Sequence, residues 1–351
     1  MNLFPEYLLM NGRAVAVKRF YKGENQIKQE AELAGFLKDW YSDKPFITVQ
    51  TSGSTGPPRH IKLEKKFIAQ SAFRTIQYFN LHQNDRILLC LPIKFIAGKL
   101  MVIRALVGNL DITSVAPSTD FSFLQNEKFR FAAMIPHQVL KLLDTEPHPG
   151  SWMNNIDQLL IGGSAIPTTL ENRLQEISTA CYSSYAMTET ATHIALRKIN
   201  GPEADAYYHC LNDISVLKSE NGCLEISMPG LKNQTLVTTD LAEVIDEKTF
   251  RIIGRSDNVI ISGGIKYLPE ILEKKLEPFI RQPFLFTSLP HTSLGQQLVL
   301  VIENNEGSLN EAHYFKICQA HLDKYELPRQ IKIIDKIPIT STGKPDRKAI
   351  F

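Results

Sequence analysis

The sequence contains few cysteines: there are five in 351 residues, and none of them forms a Cys-x-x-Cys pair. This odd number without close pairs offers no recognisable metal-binding spacing. Cys90 and Cys318 lie in apolar surroundings, which is typical of thiols in a hydrophobic core. A reducing compartment is the simplest environment for such a chain, so we expect a cytoplasmic location.

The chain also lacks an excess of charge of either sign. Its 39 Lys and Arg residues and 37 Asp and Glu residues give a formal net charge of +2, without a dense basic block. Because nucleic-acid binding depends on clustered Lys and Arg, we expect no nucleic-acid partner. The sequence shows no apolar run long enough to cross a bilayer and no signal-peptide pattern at its start. We therefore expect no membrane insertion.

The remaining composition is that of an ordinary globular protein, and its length predicts two or three domains. Strand-like and helix-like segments alternate between about residues 86 and 183, which predicts a mainly parallel sheet with helices on its faces. Short β-rich runs follow from about 207 to 253 and predict antiparallel hairpins. We predict an α/β fold in which residues 1–254 form a large N-terminal domain with mainly parallel layered sheets and a β-rich subdomain. Residues 255–351 would form a small, mobile α+β domain.

One polar stretch near the N-terminus has the composition of a phosphate-binding loop. It follows the strand-like run at residues 46–49 and contains two glycines, four hydroxyls and a cation: Thr51, Ser52, Gly53, Ser54, Thr55, Gly56 and Arg59. Backbone N–H groups and hydroxyls in such a loop can surround a polyphosphate. No Gly-Lys-Ser/Thr ends the loop, so it is not a Walker motif. A flexible Ser/Gly linker is the alternative interpretation of this stretch alone.

Five short segments occur in a recognisable order: residues 51–59, 185–189, 238–240, 254–264 and 341–344. In this order they resemble the acyl-adenylate-forming superfamily of acyl-CoA synthetases, adenylation domains and luciferases. The resemblance extends from about residue 46 to the C-terminus. Within the superfamily, residues 91–99, 187–193 and 260–264 are similar to the o-succinylbenzoate–CoA ligases of menaquinone biosynthesis.

The resemblance implies a role for each segment around ATP, Mg²⁺ and CoA. It makes Lys344, Thr188 and Glu189 catalytic, and Glu189 also the Mg²⁺ ligand. Asp257 would be the hinge between two half-reactions. The remaining nucleotide and CoA contacts would come from the residues of the loop at 51–59 together with Gly162, Gly163, Ser164, Tyr185, Asp240, Arg255, Gly263 and Gly264.

Each of these residues also has a structural interpretation. Glu189 and Lys344 would then be solvated surface charges, Tyr185 a core aromatic, and Gly162 part of an ordinary β–α turn. Asp257 would stabilise an Asx turn. Only the order of all five segments favours the catalytic interpretation.

The acid substrate implied by the resemblance is a small carboxylic acid, and o-succinylbenzoate carries a second carboxylate. Gly98, Lys99 and His193 are predicted to contact this acid. Lys99, Arg104 and His193 are the candidate cations for the second carboxylate, and we favour Lys99. Two other functions remain open: adenylation of an aryl acid that is loaded onto a carrier protein, and nucleotide sensing without turnover.

The sequence departs from the family pattern at several positions. Arg59 replaces a common lysine, Ala186 a glycine, and Thr239 the glycine before Asp240. The phosphate loop begins at residue 51, so we expect most of the N-terminal subdomain found in relatives to be missing. Its absence favours a homodimer that would cover the exposed surface.

Overall fold

The computed structural model describes most of the chain, and the residues it describes are 2–20, 28–50, 60–145, 152–231, 234–304, 310–339 and 345–351. These residues group into two compact units. Unit 1 contains described residues of Met1–Ser52, Pro57–Ile214 and Met228–Gln234. Unit 2 contains those of Ser215–Ser227 and Thr235–Phe351. The sequence analysis placed a domain boundary between residues 254 and 255. This boundary is defined by the expected motion of the C-terminal domain, and it stays a prediction.

Unit 1 combines parallel strands with helices. Its strands are β1 (Tyr7–Met10), β2 (Arg13–Ala16), β3 (Phe46–Gln50), β4 (His60–Glu64), β5 (Arg86–Leu89), β6 (Asp111–Ser114), β7 (Phe129–Met134), β8 (Ile156–Ile161), β9 (Ala180–Ala186), β10 (His193–Lys198) and β11 (Tyr208–Cys210). Its helices are α1 (Val17–Phe20), α2 (Lys28–Trp40), α3 (Lys65–Tyr78), α4 (Ile96–Gly108), α5 (Pro136–Thr145) and α6 (Thr168–Leu174).

The large sheet of unit 1 runs in the order β11, β10, β9, β8, β7, β5, β6, β1, β2. Its centre, from β9 to β1, is parallel, while β2, β10 and β11 pair antiparallel. Strand β7 is buried and apolar from Phe131 to Met134, as expected of a parallel strand that is covered on both faces. Strands β3 and β4 form a separate antiparallel pair. The predicted α/β class and mainly parallel sheet are confirmed.

The sequence analysis did not predict the hairpin that β1 and β2 form. Asn11 and Gly12 connect its strands, and their φ angles are +50° and +72°. Such left-handed angles at both central residues define the tight turn that the Asn-Gly pair favours. Strand β1 then extends the parallel sheet beside β6.

Unit 2 contains two sheets. Its elements are β12 (Ser215–Lys218), β13 (Cys223–Ser227), β14 (Thr235–Val244), β15 (Thr249–Arg255), β16 (Ile260–Ser262), β17 (Ile265–Tyr267), α7 (Pro269–Leu276), β18 (Phe284–His291), β19 (Gly295–Glu303), α8 (Glu311–His321) and β20 (Gln330–Ile334). Strands β12 to β15 form the predicted antiparallel hairpins. Strands β16 to β20 form the second sheet, in which β20 is parallel to β19. None of the described helices combines the length and the hydropathy that a membrane span needs.

A partly buried ion pair connects the C-terminal segment to α7 and β18. Arg347 Nη2 donates to Glu273 Oε2 at 2.7 Å, and its Nη1 donates to Phe286 O at 2.6 Å. The Phe286 N–H donates to Glu273 Oε1 at 2.6 Å. Burial raises the pKa of Glu273 above its ordinary value, and Arg347 only partly offsets this shift. The glutamate is therefore tolerated in this position because the guanidinium is present.

We expect Arg347→Met to destabilise this part of unit 2 by about 2 kcal/mol, because it leaves the Glu273 carboxylate without its cation. Amide hydrogen exchange in β18 should then accelerate by about thirtyfold. Adding Glu273→Gln should restore much of the protection, because the remaining side chain is neutral. Unchanged exchange in Arg347→Met would show that the ion pair does not stabilise β18.

Candidate functional site

Two predicted nucleotide segments lie side by side at the carboxyl ends of β8 and β9. Ile161 pairs with Ser183 in the parallel ladder, so Gly162 follows at the level of Ser184. A Cβ on Gly162 would lie 2.3 Å from Ser184 Oγ, which itself donates to Ile161 O. Gly163 has a φ of +92°, a left-handed conformation that favours glycine. Gly162 therefore lies directly beside Ser184, and a side chain at position 162 would displace the Ser184 hydroxyl from its bond to Ile161 O.

The turn that follows β9 is organised by Thr190. Its side chain is fully buried, and its hydroxyl accepts a bond from the Met187 N–H at 3.3 Å. The same hydroxyl lies 2.6 Å from Thr192 O. Within this turn Thr188 is half-buried and Glu189 is exposed. Thr190 thus fixes the backbone that carries both predicted catalytic side chains, a role that the sequence analysis missed.

Tyr185 is 9% exposed at the end of β9, and its ring centroid lies 6.0 Å from that of Tyr208. The ring is therefore packed against unit 1 with little of its surface accessible. Within the described parts of the chain, no group of three or more His, Cys, Asp or Glu side chains could hold a metal ion. Glu189 remains a single candidate Mg²⁺ ligand, and its role is still a prediction.

The first turn of α4 is tightly packed against the segment before it. A Cβ on Gly98 would lie 2.3 Å from Pro92 O, so only glycine allows this approach. Lys99 Nζ donates to Ile93 O at 2.7 Å and to Lys94 O at 2.9 Å. Burial lowers the pKa of Lys99 below its ordinary value. Lys99 thus stabilises the conformation of the residues before α4. Its predicted contact with the acid stays a prediction.

His193 lies at the start of β10 in a chain of hydrogen bonds. Thr75 Oγ1 donates to Ser71 O, so it can accept a bond from His193 Nε2, 3.3 Å away. The proton is then on Nε2, and Nδ1 accepts from Thr192 Oγ1 at 3.2 Å. Burial, with a smaller contribution from the charge of Arg104, lowers the pKa of His193 well below its ordinary value. The imidazole is therefore neutral at pH 7.

In unit 2, one arginine connects the predicted ribose ligand to the predicted hinge. Arg255 binds Asp257 through two bonds of 2.8 and 2.9 Å, and its Nη1 lies 3.4 Å from Asp240 Oδ1. Its Nη2 also donates to Thr239 Oγ1 at 2.7 Å. The bidentate pair with Asp257 raises the pKa of Arg255. Thr239, a departure from the family pattern, therefore helps to orient Arg255.

Gly263 and Gly264 connect β16 to β17. Their φ angles are +59° and +82°, and Ser262 pairs with Ile265 on either side of them. Two successive left-handed residues are typical of a two-residue hairpin turn. The turn alone explains both glycines, and their predicted role toward CoA remains a prediction.

Eight predicted site residues lie outside the described part of the chain. They are Thr51, Ser52, Gly53, Ser54, Thr55, Gly56, Arg59 and Lys344. Their proposed functions rest on the sequence pattern.

Comparisons with known proteins give the family to which the chain is similar. Residues 14–214 match the model of the family described as "AMP-binding enzyme". A solved structure of an acyl-CoA synthetase (AMP-forming)/AMP-acid ligase II-like protein from Dyadobacter fermentans is 31% identical, with a TM-score of 0.64. The match covers 95% of this chain and 96% of that chain.

Other similar proteins are longer than this chain. The 2-succinylbenzoate–CoA ligase of Staphylococcus aureus strain MSSA476 is 24% identical over 332 residues, which are 86% of this chain and 65% of the relative. The o-succinylbenzoate coenzyme A synthetase of Bacillus subtilis, solved in complex with ATP and magnesium ion, shares the fold with a TM-score of 0.73. It is 19% identical, and the match covers 86% of this chain and 69% of that chain.

We expect Thr239→Val to weaken AMP binding by about fivefold to tenfold, because Arg255 loses one charge-assisted hydrogen bond that orients it. Thr239→Ser keeps the hydroxyl and should bind AMP as the unmodified protein does. Titration calorimetry of both variants with AMP measures the effect. Equal affinity of Thr239→Val and Thr239→Ser would mean that the hydroxyl has no part in nucleotide binding.

Proposed function

The chain belongs to the AMP-binding enzyme family, and from this premise we propose that it is an ATP-dependent acid–CoA ligase acting through an acyl-adenylate. The observation that carries the proposal is the close approach of Gly162 to Ser184 at the ends of β8 and β9. In parallel sheets of α/β proteins, ligands bind beyond the carboxyl ends of the strands. The backbone of residues 162–164 and the side chains of Tyr185, Thr188 and Glu189 all lie at this end of the sheet.

These groups suit the chemistry of adenylation. A carboxylate must attack the α-phosphate of ATP although both are anionic, so the site has to neutralise charge and orient the reactants. Thr188 would donate a hydrogen bond to the α-phosphate. Glu189 would hold Mg²⁺ through its carboxylate oxygens, and the exposure of this side chain in the described turn fits such a ligand. Bound Mg²⁺ would neutralise phosphate charge.

The proposed nucleoside contacts come from the sequence resemblance. Tyr185 and the backbone of Gly162, Gly163 and Ser164 would contact adenine. Asp240 would accept bonds from the ribose diol, and Arg255 would orient toward the ribose or a phosphate. The loop at residues 51–59 would hold the β- and γ-phosphates.

The second half-reaction would transfer the acyl group to CoA. In the proposed cycle the C-terminal part swings about Asp257 after adenylation and presents Gly263 and Gly264 to the pantetheine arm. Residues without side chains would leave room for a narrow thiol channel. The Arg255–Asp257 pair would have to rearrange in this step, because it engages the hinge residue directly.

The proposed acid is o-succinylbenzoate, which would place the reaction in menaquinone biosynthesis. The names of two relatives support this choice: both are o-succinylbenzoate (2-succinylbenzoate) ligases. A homodimer and a cytoplasmic location remain further predictions from the sequence. The alternative acceptor is a carrier protein in place of CoA.

A carboxylic-acid panel tests the function directly. With Mg·ATP, we expect o-succinylbenzoate to give the fastest pyrophosphate release, and CoA alone to suffice as the acyl acceptor. Coupled pyrophosphate detection and chromatography of the thioester measure both steps. Pyrophosphate release without thioester formation would favour carrier-protein loading, and no release with any acid would favour a nucleotide sensor.

The division of labour between the half-reactions predicts a selective defect in Lys344→Ala. A positioned ammonium stabilises charge that develops as the acyl–phosphate bond forms, so adenylation should fall by about a hundredfold or more. Thioester formation from supplied acyl-adenylate should be spared. The exposed Lys336, changed to Ala, is the matched control and should leave both steps intact. Equal loss of both steps in Lys344→Ala would refute the assignment.

A further inference from the structure

Glu270 has a buried carboxylate oxygen that receives no hydrogen bond. The residue lies in the first turn of α7, where Asn258 Nδ2 donates to its Oε1 at 2.5 Å. The other oxygen, Oε2, is buried and has no partner among the residues that the structure describes. Burial of an acceptor without a donor is destabilising. The favourable bond from Asn258 is therefore opposed by the cost of burying Oε2.

The unpartnered oxygen packs against the end of β15. A Cβ on Gly254 would lie 3.0 Å from Glu270 Oε2 and 3.2 Å from Leu268 Cδ2. The carboxylate and the apolar side chain of Leu268 thus both pack against the Gly254 backbone. This arrangement brings α7 close to the strand that leads into the predicted hinge.

The usual explanation of an acidic residue in a first turn does not account for this burial. A carboxylate near a helix N-terminus interacts favourably with the helix dipole, and an exposed side chain can make this interaction. Glu311 in the first turn of α8 is exposed in this way. The Glu270 carboxylate instead contacts Asn258 and Gly254. Its position therefore depends on the segment that precedes β16.

Asn258 belongs to the segment that carries the predicted hinge. A short 3₁₀ turn over Ser256–Asn258 includes Asp257. On the preceding side, Arg255 donates the two bonds of 2.8 and 2.9 Å to Asp257. On the following side, the bond from Asn258 to Glu270 connects the same segment to α7. The predicted hinge is thus held between β15 and α7.

Two cations interact electrostatically with Glu270, but each is bonded to another carboxylate. Arg255 forms its bidentate pair with Asp257, and Arg347 bonds to Glu273. The bond to Asp257 raises the pKa of Arg255 most, and the charge of Glu270 adds a smaller contribution. The charge of Glu270 also contributes to the raised pKa of Arg347. Oε2 therefore stays without a hydrogen bond although two guanidinium groups act on it from a distance.

We propose that Glu270 is a positioning residue that holds the hinge segment through Asn258, and that its unpartnered oxygen keeps this hold weak enough for the hinge to open. This inference rests on the proposed function, in which Asp257 is the hinge between the two half-reactions. A hydrogen bond to a charged group and the burial of an unpaired oxygen contribute free energies of similar size and opposite sign. The held and released arrangements are then close in free energy, as two populated states require. On release, water hydrates both carboxylate oxygens.

Amide hydrogen exchange of residues 255–260 tests the hold without any assumption about the acid. Asn258→Leu leaves both Glu270 oxygens without a donor, so exchange in this segment should accelerate at least tenfold. Adding Glu270→Met replaces the polar pair with an apolar pair, so the exchange rate should return to that of the unmodified protein or fall below it. Glu311→Met is the matched control and should leave exchange in this segment unchanged.

Three results of the exchange experiment would overturn the proposal. The first is unchanged exchange of residues 255–260 in Asn258→Leu. The second is acceleration that the added Glu270→Met does not reverse, because the effect would then not pass through the carboxylate. The third is an equal acceleration in β19, because Asn258→Leu would then have lowered the stability of unit 2 in general.

The two half-reactions separate a hinge role from a general structural role. Adenylation is measured by pyrophosphate release, and thioester formation from supplied acyl-adenylate is measured by chromatography. Asn258→Leu should change the ratio of the two rates by about tenfold, because weakening one arrangement raises the population of the other. The double variant with Glu270→Met should restore the ratio. An equal loss in both steps would overturn the hinge role, because general damage to unit 2 slows both.

The outcomes also distinguish this proposal from the proposed function. If exchange responds as expected but no acid gives pyrophosphate release, the hold on the segment stands and the acid-activating function fails. If both half-reactions proceed but exchange is the same in every variant, the function stands and the role of Glu270 fails.

Discussion

The close approach of two strand ends is the constraint on which the candidate site depends. Glycine at position 162 lets the β8 end meet Ser184, and the pairing of β8 with β9 sets the level at which they meet. The turn after β9 is then held by Thr190, which leaves Thr188 and Glu189 at the surface of unit 1. The predicted catalytic groups Thr188 and Glu189 therefore depend on the pairing of β8 with β9 and on the Thr190 hydroxyl that holds the turn.

A second feature of unit 1 is the buried Arg104, which has no carboxylate partner among the described residues. Natural interiors pair buried ions, and Arg74 with Asp213 follows that rule. Arg104 departs from it while its neighbours Thr192, His193 and Thr75 satisfy one another.

The sequence analysis predicted those features that depend on local pattern. Buried parallel strands are rich in apolar residues, so the alternation of strands and helices between β5 and β9 could be predicted. The short antiparallel strands after residue 207 could be predicted as well. The sequence analysis favoured Lys99 as the cation for a second carboxylate, and that choice stays a prediction; the bonds from Lys99 to two backbone carbonyls could not be read from spacing. Thr190 and Thr239 were missed as orienting residues for the same reason: their hydroxyls act on groups that only the folded chain brings near. The Asn11-Gly12 pair is typical of a hairpin turn, but the two strands that it joins have only four residues each. The sequence analysis therefore missed this hairpin.

A crystal structure with a stable acyl-adenylate analogue of o-succinylbenzoate tests the central claim most directly. The account predicts adenine against residues 162–164 and Tyr185, and the phosphate at Thr188. An adenylate bound away from the ends of β8 and β9 would contradict it.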